Sequence, residues 1–302
     1  MKKQYFFALV SILCWSTVAT VTKLMMSELN SIQLLWISSL LASAFLLIIN
    51  IFSGNMKILK NYKIMDYITI VLMGIPGTFF YYVFYYAGTE RMAASQAFIV
   101  NYMWPIMSVL FACIILKEKL TFRKGIAIIV SFFGVVIVTG GELLQLDYNT
   151  VVGALFCIMG AVSYGIFTAF NQKFSYDKTV SMMMNFFVTF LLTTIINVIN
   201  GDIFVPDFVQ LVGITWNGVF TMAIPCTMWI IALEGGNTAK ISNLAYITPF
   251  LSLIWTSLIL KEAITVNSIV GLVMIVLGIF IQIKGKPESS IEGELYENRI
   301  SD

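Results

Sequence analysis

Long apolar runs separated by short charged or polar connections make up most of this chain. Stretches free of Asp, Glu, Lys and Arg cover residues 5–22, 32–52, 67–89, 92–116, 125–141, 150–172, 179–201, 208–233, 241–260 and 263–283. As a helix, each is long enough to cross a hydrocarbon core about 30 Å thick. The pattern predicts an all-α membrane protein with ten transmembrane helices. The connections are too short for a soluble catalytic domain, so function must lie between helices. The opening MKKQYFFALVSILCW has the charged start and apolar run of a secretory signal, but no small-residue cleavage site precedes Lys23, and it reads as the first membrane helix.

The hexapeptide LKEKLT at 116–121 returns as LKEAIT at 260–265. Other punctuation repeats with it. Pro76 in GIPGT answers Pro225 in AIPCT, Pro105 in NYMWP answers Pro249 in AYITP, and Gly134 answers Gly278. A unit of five helices is odd-numbered, so a second copy enters the bilayer from the opposite side. The expected organisation is two inverted-topology repeats, residues 1–141 and 142–284, followed by an acidic, disordered tail at 285–302. Glu118 and Glu262 are expected to cap the starts of helices 5 and 10 or to pair with neighbouring lysines. Membrane prolines free a carbonyl that a cavity or neighbouring helix must satisfy, which makes helices 3, 4, 8 and 9 the expected cavity walls.

Composition agrees with the pattern. Of 302 residues, 59% are hydrophobic and 11% charged, whereas soluble domains carry roughly a quarter charged residues. Fifteen of the 18 Lys and Arg residues fall on one side of alternating connections, and only Lys23, Arg91 and Lys261 on the other. The positive-inside bias then places both termini in the cytoplasm and explains why the second hexapeptide has shed basic residues. The net charge of +2 is thereby a topology signal and implies no nucleic-acid partner. The four cysteines, Cys14, Cys113, Cys157 and Cys226, sit inside spans without CxxC spacing, and the chain has no histidine. No metal, cofactor or catalytic constellation is expected.

The densest chemical signal is AFIVNYMWP at 97–105, where Asn101 lies mid-span beside Tyr102, Trp104 and a kinking proline. Its amide must be paired, either as a clasp between helices or to a ligand. Helix 6 aligns Tyr164, Thr168 and Asn171 on one face. Helix 1 contributes Trp15, helix 3 contributes Tyr82 and Tyr86, helix 8 Trp229, and helix 9 Tyr246. Taken singly, each aromatic is explained by packing or a lipid contact. Together, on helices 1, 3, 4, 6, 8 and 9, they suit a small-molecule ligand with a planar or apolar body and a few hydrogen-bonding groups. Gly160, Ala161, Gly165, Gly271 and Gly278 are read as close-packing positions. No ionisable residue lies deep in a span, which favours facilitated transport over tight proton coupling. Glu234 and Lys240, at span edges, could still titrate.

Two halves of five helices with a KE motif before the last helix of each resemble the drug/metabolite transporter superfamily in its EamA-type branch. CWSTVATVTKL, VNYMWPIMSVLFA, MGAVSYGIFTAFNQK and MWIIALEGGNT are similar to stretches of bacterial aromatic amino acid exporters. The resemblance implies an exporter of small neutral metabolites, aromatic or other bulky amino acids above all, in the bacterial inner membrane. It implies a central pocket holding Trp15, Asn101, Tyr102 and Trp104. Tyr164 stands where those exporters carry Trp, and Glu234 where a non-acidic residue is expected. The competing expectations are a broad drug or metabolite exporter and a membrane scaffold. A cation-drug carrier needs a carboxylate in helix 1, which has none. One chain contains a complete cleft, so a monomer suffices.

Overall fold

A computed structural model of the chain describes residues 2–139, 148–235, 241 and 244–283, and every regular element among them is helical. Among the described residues, eight helices are long and apolar enough to cross a membrane: α1 Lys3–Met25, α2 Ser31–Phe52, α3 Ile64–Arg91, α4 Ala94–Ile115, α5 Phe122–Thr139, α6 Tyr148–Lys173, α7 Lys178–Asn200 and α8 Phe208–Leu233. Two further apolar helices follow, α9 Ala245–Leu260 and α10 Val266–Ile283. Their boundaries fall within a few residues of the charge-free runs. The expected tail at 285–302, and Lys240, lie outside the described residues.

Sequence chemistry sets the helix ends. Asn30 caps α2 and Asp207 caps α8, each in a reciprocal box with a glutamine three residues on (Gln33 and Gln210), which satisfies first-turn amides that have no intrahelical acceptor. Asp177 accepts from Val180 N at 2.8 Å at the head of α7, and that helix ends on Gly201 at φ +73°, a left-handed backbone that glycine adopts without steric cost.

Helices pair in a regular way. α5 lies along α10 and α2 along α7, while α6 packs on α3 and α4, and α1 on α8 and α9. The α5/α10 contact is the most extensive, and its backbones approach closely. A Cβ added to Gly271 would stand 2.6 Å from Gly134 O, and one on Gly134 2.7 Å from Gly271 O. With no water to drive apolar surfaces together in lipid, such backbone approach supplies the van der Waals attraction that holds helices. The protein's centre holds Tyr85, Tyr86, Phe186, Leu34 and Leu35 with almost no exposure, while Phe6, Leu72, Ile114 and Phe133 point outward.

All four paired prolines mark departures from regular helix. In α3, Pro76 opens a π-helical turn, Pro76–Phe80, and in α8 a π-helical segment, Trp216–Ala223, ends just before Pro225. α4 breaks at Tyr102 and Met103, ahead of Pro105; in α9 a 3₁₀ turn, Ala245–Ile247, precedes Pro249. α1 breaks as well, at Thr17, without a proline.

The two KE motifs share a backbone shape, since Lys117 and Lys261 are the only non-glycine residues with positive φ among the described ones, at 59° and 61°. Their glutamates do different things. Glu118 pairs with Lys124 at 3.1 Å. Glu262 does not cap α10; its carboxylate accepts from Ala94 N, Ser95 N and Ser95 Oγ at the start of α4. Loops from distant parts of the chain converge at that helix end, which spacing within the sequence does not reveal.

Candidate functional site

The helix breaks of α4 and α9 meet: Tyr102 Oη donates to Ala245 O at 2.5 Å. Around this junction an aromatic network joins three helices. Tyr164 on α6 stacks edge-on against Trp104 on α4, with ring centroids 5.1 Å apart, and lies 4.9 Å from Tyr81 on α3. Trp104 in turn meets Tyr102 at 6.3 Å. From Tyr81 the contacts continue to Tyr82 at 4.8 Å and on to Tyr86 at 5.6 Å. Asn101 Nδ2 donates to Tyr81 Oη at 3.0 Å. The aromatic edges and faces so arranged present a semi-rigid wall suited to planar groups.

The structure therefore brings together six of the eleven sequence candidates: Tyr82, Tyr86, Asn101, Tyr102, Trp104 and Tyr164. Thr168 lies one turn along α6 and donates to Ser108 Oγ on α4 at 2.8 Å. Trp15 and Trp229 form their own pair, at 5.4 Å between α1 and α8. Tyr246 packs on Phe280 of α10 at 5.0 Å. Asn171 is exposed and donates to Phe167 O at 3.2 Å. It lines a separate cavity of about 20 Å³ with Ser181, Asn185 and Phe174, at the α6–α7 end of the bundle. There, between spans, the Tyr176 phenol titrates above its ordinary value, from desolvation first and then from its hydrogen bond to Asp66.

Several participants escape sequence reasoning. Tyr81 is the hub of the network, yet the four tyrosines of YYVFYY crowd one broad arc of the helix, so the sequence offers no reason to choose it. Asn217, wholly buried in the π segment of α8, donates to Tyr86 Oη at 2.6 Å and to Ser38 Oγ at 3.1 Å. An asparagine inside an apolar run was a usable signal there. On α1, α4 and α9, Thr20 Oγ1, Asn101 Oδ1, Thr248 Oγ1 and Ser252 Oγ are buried with no protein partner. The segments carrying them touch, because Val18–Met25 packs on both Ala94–Asn101 and Thr248–Leu260. Polar atoms stranded like this cost about 1–3 kcal/mol each unless a ligand or water meets them. Charges stay at the margins: Lys23, Glu90 and Arg91 sit within three residues of span ends.

A family model described as the EamA-like transporter family matches residues 2–140 and again residues 151–283. An uncharacterized transporter of Archaeoglobus fulgidus is 24% identical over 94% of this chain and 99% of its own length. The uncharacterized transporter YoaV of Bacillus subtilis is 25% identical over 74% of this chain and 75% of its own. The aromatic amino acid exporter YddG of Ancylobacter novellus is 22% identical over 59% of this chain and 63% of its own. A protein crystal structure superposes with a TM-score of 0.68 at 19% identity, over 93% of this chain and 96% of that one, and so shares the fold. The family model accounts for nearly all of the apolar helices, and this chain belongs to the EamA-like transporters of the drug/metabolite transporter superfamily.

Proposed function

We propose that this transporter exports neutral amino acids with bulky, preferably aromatic side chains, by alternating access through a cleft where α1, α3, α4, α6, α8 and α9 meet. The observations that carry this reading are the wall of Tyr81, Tyr82, Tyr102, Trp104 and Tyr164 and the buried, unpartnered hydrogen-bonding atoms of Asn101, Thr20, Thr248 and Ser252 on segments that pack together. Aromatic rings hold the side chain of such a substrate, and the stranded oxygens can accept from its ammonium. The aromatic amino acid exporter among the relatives adds support.

Alternating access rests on ten spans in two inverted repeats of five. The two matches of the family model, the matched proline breaks, the equal backbone shape of the KE motifs and the helix pairing all support that reading. In the same reading the protein works as a monomer in the bacterial inner membrane with both termini in the cytoplasm. The missing ionisable group at mid-depth favours movement down the substrate gradient without proton coupling.

The test is uptake of radiolabelled phenylalanine, tryptophan, threonine and alanine into liposomes holding the purified protein, with and without a pH gradient. Phenylalanine and tryptophan should move faster than in empty liposomes, indifferent to the gradient. Trp104→Ala should slow them about tenfold, the loss expected from removing one aromatic contact of ~1.4 kcal/mol. If none of the four moves faster than in empty liposomes, the amino acid reading falls.

A further inference from the structure

The turn between α3 and α4 is gripped from two sides by opposite charges. α3 ends at Arg91 and α4 begins at Ala94. Lys23, reaching from α1, donates through Nζ to Thr89 O at 2.6 Å and Met92 O at 2.9 Å. From the link between α9 and α10, Glu262 accepts from Ala94 N at 2.7 Å, Ser95 N at 2.9 Å and Ser95 Oγ at 2.6 Å. A cation thus faces the carbonyl end of one helix and an anion the amide end of the next, each the sign that the helix dipole favours. Glu90, inside the last turn of α3, also accepts from Ser31 N at 3.0 Å at the head of α2.

One feature makes this grip a device that can let go. The gripped pieces are half-helices with a break at their inner ends. Val18–Met25 is set off from the rest of α1 at Thr17, and Ala94–Asn101 ends at the Tyr102–Met103 break. Each can swing about its break if the outer end is released. The half-helix Ala94–Asn101 also carries Asn101 at its inner end, so movement at Ser95 reaches the aromatic site directly.

We propose that Glu262 and Lys23 form a releasable clamp that closes one end of the transport path, the end poor in basic residues, and opens once per cycle. This rests on the alternating-access reading above. It is tested in proteoliposomes with Ser95→Cys and Glu262→Cys combined and then bridged by a short bifunctional thiol reagent. Bridging should cut phenylalanine and tryptophan uptake at least about tenfold relative to the unbridged double variant, reversibly on reduction, while the same reagent leaves the uptake of each single variant where it was before treatment. Tenfold is the minimum expected if opening is blocked by more than one charge-assisted hydrogen bond's worth of free energy. A static cap predicts unchanged uptake after bridging, and that result overturns the clamp.

A second readout needs no substrate. Asn101→Cys is labelled with a membrane-impermeant thiol reagent from the clamp side, with the parent chain as background for its native cysteines. Adding Glu262→Ala, or Glu262→Gln where the alanine variant does not fold, should speed labelling, by about tenfold for alanine. An unchanged rate with both sinks the proposal. If labelling accelerates while neither amino acid moves in the unmodified protein, the clamp stands and the substrate assignment fails.

Discussion

Asn217 is a buried carboxamide with its hydrogen-bonding capacity well used. Its Nδ2 serves Tyr86 and Ser38, and its Oδ1 accepts from Thr221 Oγ1 at 3.1 Å. Removing it strands the Tyr86 and Ser38 oxygens in the protein centre, where no water replaces the donor. Asn217→Ala should therefore lower stability by about 1–3 kcal/mol, read as a reduced thermal unfolding midpoint in detergent. Equal midpoints would refute that role. Residues of this kind show how far single positions could be read in advance. Asn101, Tyr102 and Trp104 were legible because a polar group in an apolar run must find a partner. Thr168 shares a helix face with Tyr164 by periodicity, and its hydroxyl donates to Ser108 on α4. Asn171 shares that helical face by periodicity, yet it falls beyond the network because the depth of a residue along a helix depends on where neighbouring helices end. Tyr81 and Tyr82, one residue apart, differ only in which neighbour each meets.

At the scale of elements, the α5/α10 seam makes a sharp comparison. Gly271→Ala puts a methyl 2.6 Å from Gly134 O and 2.3 Å from Val138 Cγ2, so backbone must move, whereas a Cβ on Gly125 meets nothing within 4 Å. Gly271→Ala should cost about 1–3 kcal/mol, as overpacking does, and Gly125→Ala should leave the unfolding midpoint unchanged or slightly raised. Thermal scans of the two variants side by side check this; equal losses would mean the seam is not tight. The helix breaks divide in the same manner between local and distant causes. Proline removes an amide and crowds the carbonyl four residues earlier, so some interruption near Pro76, Pro105, Pro225 and Pro249 follows from covalent structure alone. Its form does not. α3 and α8 absorb it as π-helical turns anchored to neighbours, through Thr78 on Asn185 O at 3.3 Å and Asn217 on Ser38. α4 breaks outright, with the adjoining Tyr102 hydroxyl held on α9.

At the scale of the molecule, the positive-inside bias makes a prediction about orientation. Lys63 and Glu28 are both exposed and lie outside the membrane core at opposite ends of the expected topology. Under the positive-inside reading, Lys63→Cys should react with an impermeant thiol reagent only from the cytoplasmic face, and Glu28→Cys only from the outer face. Labelling intact cells and inverted vesicles separates the two, and the reverse pattern would invert the topology. The sequence by itself determined the positions of the apolar helices, the places where four of them are interrupted, the absence of deep charges and the resemblance to a transporter family. These follow from free energies that act locally: transfer of each residue into hydrocarbon, the missing proline amide, and the cost of a buried charge. Tertiary structure alone decided which tyrosine is the hub, that Trp15 pairs with Trp229 apart from Trp104, and that Glu262 holds the head of α4 rather than its own helix. Lipid is as apolar as the helix surfaces, so helices choose their partners through close backbone approach and hydrogen bonds between residues far apart in the chain. Those contacts have no periodicity along the sequence and become visible only when the bundle is assembled.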